Sequence, residues 1–174
     1  MVTPVISHLM GTITLLGIMV VIVAVFLGAQ LVINMNVQKL RLTEVAESVA
    51  RELVELASVH TLGGSGVSIM HLTVPQDIYG QGYTIELEDV GGGKIIVKVR
   101  LQVYQVVRVV VVPNFGRSSI KVISGEVSLP EYGITASPRI LLPTPCTESG
   151  RKQPVLVAFS QDSTVYIGFA AVGG

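Results

Sequence analysis

The side chains able to do covalent or metal chemistry are few in this chain and widely scattered. There are three histidines (His8, His60, His71), one cysteine (Cys146) and three aspartates (Asp77, Asp89, Asp162). Zinc sites bring three or four Cys, His or carboxylate ligands to one tetrahedral centre, usually from closely spaced pairs. No such spacing occurs here, and the histidines fall in three different structural settings. His60 closes an amphipathic stretch, where an imidazole suits the negative end of a helix dipole and a structural role is expected. The three aspartates have turn-like neighbours, which gives a carboxylate dyad little support. Cys146 lies in a Pro/Thr/Gly loop with no spacing that pairs it to a histidine, and as the single cysteine it forms no internal disulfide. A Gly-x-Ser-x-Gly nucleophile motif is absent. Gly63-Gly64-Ser65-Gly66 lacks the Lys-Ser/Thr of a phosphate loop and follows a helical stretch instead of opening one, so it reads as a linker. Arg139, Arg151 and Lys152 flank a Pro-rich loop (PRILLPTPCTESGRK), read as a solvated tip or a contact surface. Asn34, Asn36 and Asn114 all fail the Asn-x-Ser/Thr pattern. The expectation is a protein with no catalytic residue, no cofactor and no metal.

The distribution of charge says more than any motif. Net charge is zero and charged residues make up 14% of the chain, which leaves no electrostatic footprint for nucleic acid. All the Lys, Arg, Asp and Glu residues fall at Lys39 or later. Leu9 to Ala29 (LMGTITLLGIMVVIVAVFLGA) is apolar on every side, without helical or alternating periodicity. A helix apolar all round belongs in a membrane or inside a packed assembly. Thr3 suits a helix cap and Pro4 the first helical position, and no further Pro occurs until Pro75. Gly11, Gly17 and Gly28 each cost a helix about 1 kcal/mol relative to Ala, yet small residues also let helix backbones approach one another.

The elements that follow are of two kinds. Lys39 to His60 (KLRLTEVAESVARELVELASVH) is amphipathic: Leu42, Val45, Ala46, Val49, Leu53, Leu56 and His60 form one stripe, with the charges mostly off it. Glu47 and Arg51 stand as an i,i+4 pair in the favoured order, and Gly63-Gly64 supply a stop. One helix from about residue 4 to about residue 60 would run about 85 Å at about 1.5 Å per residue. From Gly63 the period becomes two, and Val, Ile, Thr and Tyr dominate. Strands are expected at Val67–Val74, Tyr83–Asp89, Lys94–Val112, Ser119–Leu129, Ile134–Leu141, Pro154–Ser160 and Thr164–Ala170. Gly91-Gly92-Gly93 and Gln161-Asp162-Ser163 read as hairpin turns. In the third strand Ile95, Val97, Val99, Leu101 and Val103 take the core face; a bulge or bend near Tyr104, or cover on both faces, accounts for the lost alternation beyond it. Val109 to Val112 read as a buried central strand, or as one covered by the helix or a neighbouring subunit. The fold class is therefore α+β: a helical segment over residues 1–62, hydrophobic then amphipathic, and a domain over 63–174. That domain is an antiparallel β-sandwich of immunoglobulin-like type, or a barrel. The helix stripe has only this domain to bury itself on.

The opening Thr3-Pro4-Val5-Ile6, the apolar helix turning amphipathic and the C-terminal β-domain together resemble archaeal type IV pilins and their archaellin relatives. The resemblance covers the whole chain at the level of layout. It implies a precursor held in the cytoplasmic membrane, a short basic leader removed by a prepilin peptidase-like enzyme, and assembly machinery that extracts the subunit into an extracellular filament. It also implies that the partner is a homo-polymer of identical subunits, for adhesion or surface attachment. The self-assembly helix is then Pro4, Val5, Ile6, Leu9, Met10, Ile13, Leu16, Met19, Val20, Val23, Phe26, Leu27 and Leu31. Helix-to-domain packing falls to Leu42, Val45, Ala46, Val49, Leu53 and Leu56. Bacterial pilins carry a glutamate near the mature start, and none occurs here before Glu44. The segment also lacks the basic region and small-residue cleavage site of a secretory signal. Lys39 and Arg41, taken alone, place the C-terminal domain on the cytoplasmic side, whereas a removed basic leader reverses that orientation. Three other readings stay open: a single-pass anchored extracytoplasmic β-domain protein, an archaellum-associated stator-like component, and a membrane-tethered enzyme.

Overall fold

The structure is a computed structural model and describes residues 3–63, 66–91, 94–101, 107–113, 120–144, 146–147, 150–162 and 164–173; side chains are described for these except 3–7, 107–113, 146–147 and 150–151. It is an α+β chain in which one long helix, α1 (Thr3–Gly63), precedes mostly antiparallel sheets. Internal contacts divide it into two compact units, residues 1–38 and residues 39–174, and the division falls inside α1.

In the first unit the helix contains no Pro beyond Pro4, and two of its threonines bond back to it. Thr12 Oγ1 donates to the carbonyls of His8 and Leu9 (3.1 and 2.9 Å), and Thr14 Oγ1 to that of Met10 (2.8 Å). A hydroxyl bonded back to its own helix brings no unmet donor into an apolar setting.

In the second unit good helix formers such as Leu, Glu, Ala and Arg carry α1 on to Gly63. Twelve strands follow among the described residues: β1 (Val67–His71), β2 (Tyr83–Gly91), β3 (Lys94–Leu101), β4 (Val107–Pro113), β5 (Ile120–Val122), β6 (Val127–Leu129), β7 (Ile134–Ala136), β8 (Arg139–Leu142), β9 (Cys146–Thr147), β10 (Gly150–Arg151), β11 (Gln153–Gln161) and β12 (Thr164–Val172). They form two four-stranded sheets, ordered β1-β11-β12-β5 and β4-β3-β2-β8, and two ribbons, β6-β7 and β9-β10. Every pairing is antiparallel except β12 with β5.

Several expected strands are divided. Lys94–Val112 is two strands, β3 and β4, that pair antiparallel with each other from Lys94↔Pro113 to Arg100↔Val107. Tyr104 and Val103, where a bend and a core position were expected, lie outside the described residues. Ser119–Leu129 is β5 and β6, and Ile134–Leu141 is β7 and β8, each pair split between different sheets. The first strand stops at His71 instead of Val74. Val109–Val112 is not central among the described residues: there β4 pairs only with β3 and forms the edge of its sheet. The two turns fall where expected. Gly91 has φ 80° and follows a bulge that begins at Asp89, and Asp162 has φ 50° between Gln161 and Thr164, which pair with each other. Gly92, Gly93 and Ser163 lie outside the described residues, as do Gly64 and Ser65 of the linker.

The core of the second unit forms on both faces of the first sheet. One cluster joins Leu42, Val45, Ala46, Val49, Leu53 and Leu56 of α1 to side chains of both four-stranded sheets, among them Ile85, Val97, Leu101, Leu156 and Phe169. A second cluster sets Val155, Val157 and Phe159 of β11 against Ile123 and against Ile134 and Ala136 of β7. Successive residues of β11 therefore face two cores, which explains why Pro154 to Phe159 is buried without a break. On β3 the alternation holds: Ile95, Val97, Val99 and Leu101 are buried, while Lys94 and Arg100 are exposed.

Candidate functional site: an apolar helical surface

From His8 to Val37 every side chain is exposed. Leu9, Met10, Ile13, Leu16, Met19, Val20, Val23, Phe26, Leu27 and Leu31 all belong to this surface, with exposures between 47% at Val23 and 66% at Met10. Pro4, Val5 and Ile6 are helical in backbone, and their side chains lie outside the described ones. Leu16, Met19, Val20, Val23, Ala24 and Leu27 line a shallow groove along one face. Nothing approaches within 4 Å of a Cβ position at Gly11, Gly17 or Gly28. By length and composition this part of α1 suffices to cross a membrane. Contiguous apolar surface on this scale does not stay in water; it marks a membrane or protein contact.

The surface stops abruptly. Leu42 is fully buried, and from there the stripe Leu42, Val45, Ala46, Val49, Leu53, Leu56 lies inside the core of the second unit. Glu52 accepts the backbone N–H of Thr73 (3.1 and 3.2 Å), which ties the loop after β1 to the same helix. Glu47 and Arg51 do not close as an ion pair, whereas Arg41 and Glu44 do at 2.8 Å, three residues apart.

The chemistry-bearing residues stay apart. Among the described residues no group of three His, Cys, Asp or Glu could hold a metal. The side chain of Cys146 lies outside the described ones; its backbone pairs with Arg151. Asp77 Oδ1 accepts from Gly80 N (3.0 Å) and Asp89 Oδ1 from Gly91 N (2.9 Å), so both aspartates serve turns. Tyr83 is fully buried and donates its hydroxyl to the Pro75 carbonyl. Burial, with a smaller contribution from Asp77, pushes its phenol well above the usual range.

His60 takes the structural role expected of it, through partners that the sequence does not name. It is buried, with Nδ1 2.9 Å from Ser68 Oγ on β1 and Nε2 2.8 Å from Ser160 Oγ on β11. Burial lowers its pKa, which favours the neutral ring. It therefore acts as a neutral pin between helix and sheet, and not as a cation answering the helix dipole. No carboxylate bonds either ring nitrogen. Ser160 lies a hundred positions away, so no sequence pattern links the pair.

No protein-family model, no curated protein and no solved structure matches the chain.

Proposed function

We propose that this chain is the structural subunit of an archaeal type IV pilus-like filament, a pilin that self-assembles through α1. In this reading the two four-stranded sheets form an immunoglobulin-like sandwich carried on the filament. The precursor sits in the cytoplasmic membrane, a prepilin peptidase-like enzyme removes a basic leader, and assembly machinery transfers the subunit to an extracellular homo-polymer used for attachment. The observation that carries the reading is the uninterrupted exposure of His8–Val37, where residues 39–174 by contrast hold a buried core among their described side chains. At about 25 cal/mol per Å² of apolar surface, hydrating such a helix costs on the order of tens of kcal/mol. Lipid removes that cost before assembly, and parallel copies of the same helix remove it afterwards. A heterologous contact whose rotation does not close generates an open helical polymer. No catalytic group enters the account.

Negative-stain microscopy of material sheared from the cell surface, with the N-terminal residue of its subunit identified, tests the proposal. Filaments built from this chain support it. The composition of residues 9–29 also suits a permanent single-pass anchor, as an extracytoplasmic β-domain protein or an archaellum-associated stator-like component. Recovery of the chain only from the membrane fraction favours that reading.

A further inference from the structure

We infer that the cleft where β8, the β6–β7 ribbon and the C-terminal half of β12 converge is a binding site for a neutral glycan. The cleft encloses about 580 Å³, within the range of small-ligand sites. Four side chains on its rim carry the recognition: Thr84 from β2, Glu126 ahead of β6, Thr135 from β7 and Arg139 from β8. None of the four side chains has a protein hydrogen-bond or ion-pair partner among the described residues. The topology brings them together. Ser128 pairs with Thr135 across the ribbon, Thr84 pairs with Leu141, and Ser137 exchanges two 2.7 Å backbone hydrogen bonds with Phe169 to join ribbon and sheet.

The chemistry selects the ligand class. Two hydroxyls that both donate and accept, one guanidinium that only donates and one carboxylate that only accepts match a ring of sugar hydroxyls. Opposite charges on one rim cancel, which disfavours a net anion or cation and leaves a neutral partner. Leu141 is 49% exposed and, with Ala171, offers the apolar wall on which the C–H face of a pyranose packs. A second polar cleft of this unit, beside Arg41 and Asp77, has its charged groups already engaged. There Arg41 is held by Glu44, and Asp77 by the backbone of Gly80. The glycan site lies wholly within residues 39–174 and does not rest on the filament proposal.

The test is saturation-transfer NMR on the full chain in lauryldimethylamine oxide micelles, which contain no sugar. The probes are the methyl glycosides of glucose, galactose, mannose and N-acetylglucosamine. Transfer to at least one is expected, with affinity weakened about tenfold or more in Arg139→Gln and Glu126→Gln, since each deletes hydrogen bonds to a charged group. Ser48→Ala, in the other cleft, should bind as the parent does. Circular dichroism and a third variant, Thr135→Val, separate loss of binding from loss of fold. Silence from all four glycosides, or binding that Arg139→Gln, Glu126→Gln and Thr135→Val leave intact while folded, overturns the assignment.

Discussion

Gly168 on β12 has no room for a side chain: a Cβ there would meet Ile123 Cδ1 at 2.4 Å and the Ser137 carbonyl at 3.0 Å. The Ile123 methyl can turn aside, but the carbonyl belongs to the bridge that joins Ser137 to Phe169. Gly168→Ala should therefore cost about 1–3 kcal/mol in denaturant unfolding of the second unit, and Ile123→Val, which removes Cδ1, should restore part of it. Nothing in T-V-Y-I-G-F-A-A marks that glycine as a contact, because the atoms it spares room for are more than thirty residues away. His60 was legible as a structural histidine but not as a neutral one, since its hydroxyl partners come from two strands. Its pKa is lowered by burial from an ordinary value of 6.5, so the folded state binds fewer protons than the unfolded chain. Stability from this site is complete above about pH 6.5 and falls on acidification towards the folded pKa. Unfolding curves across that window should show the loss in the parent and a flatter acid limb in His60→Asn.

At the scale of elements, α1 has two fates along one continuous helix. Leu53→Ala opens a cavity in the core and should cost about 2–5 kcal/mol in unfolding of residues 39–174. Leu16→Ala should leave that transition unchanged, because Leu16 lies outside residues 39–174 and is exposed, and should weaken recovery of polymer after detergent removal. The buried half was readable in advance. Its 3.6-residue stripe names the buried face down to Leu42, Val49 and Leu53. Strand division was less legible for a physical reason. The segment joining β3 to β4, Gln-Val-Tyr-Gln-Val, contains neither Gly nor Pro, so a reversal there looks like uninterrupted strand. Pro138 did offer a signal between β7 and β8, since proline is a poor guest inside a strand. The edge position of β4 follows from pairing with partners distant in sequence, which periodicity does not report. The glycan cleft was invisible for the same reason: Thr84, Glu126, Thr135 and Arg139 come from four separate segments.

For the whole molecule, the second unit closes a core of its own while residues 8–37 bury nothing. The proposal assigns that open surface first to lipid and then to copies of the same helix. The chain from residue 39 onward should consequently be soluble and monomeric by sedimentation without detergent. The most direct measurement removes detergent from the purified full-length chain and from residues 39–174 in parallel, with electron microscopy of both. The account predicts helical filaments from the full-length chain and dispersed monomers from the shorter one. Filaments from the shorter chain, or a full-length chain that returns to added lipid bilayers as a lone monomer and never polymerises, would contradict it.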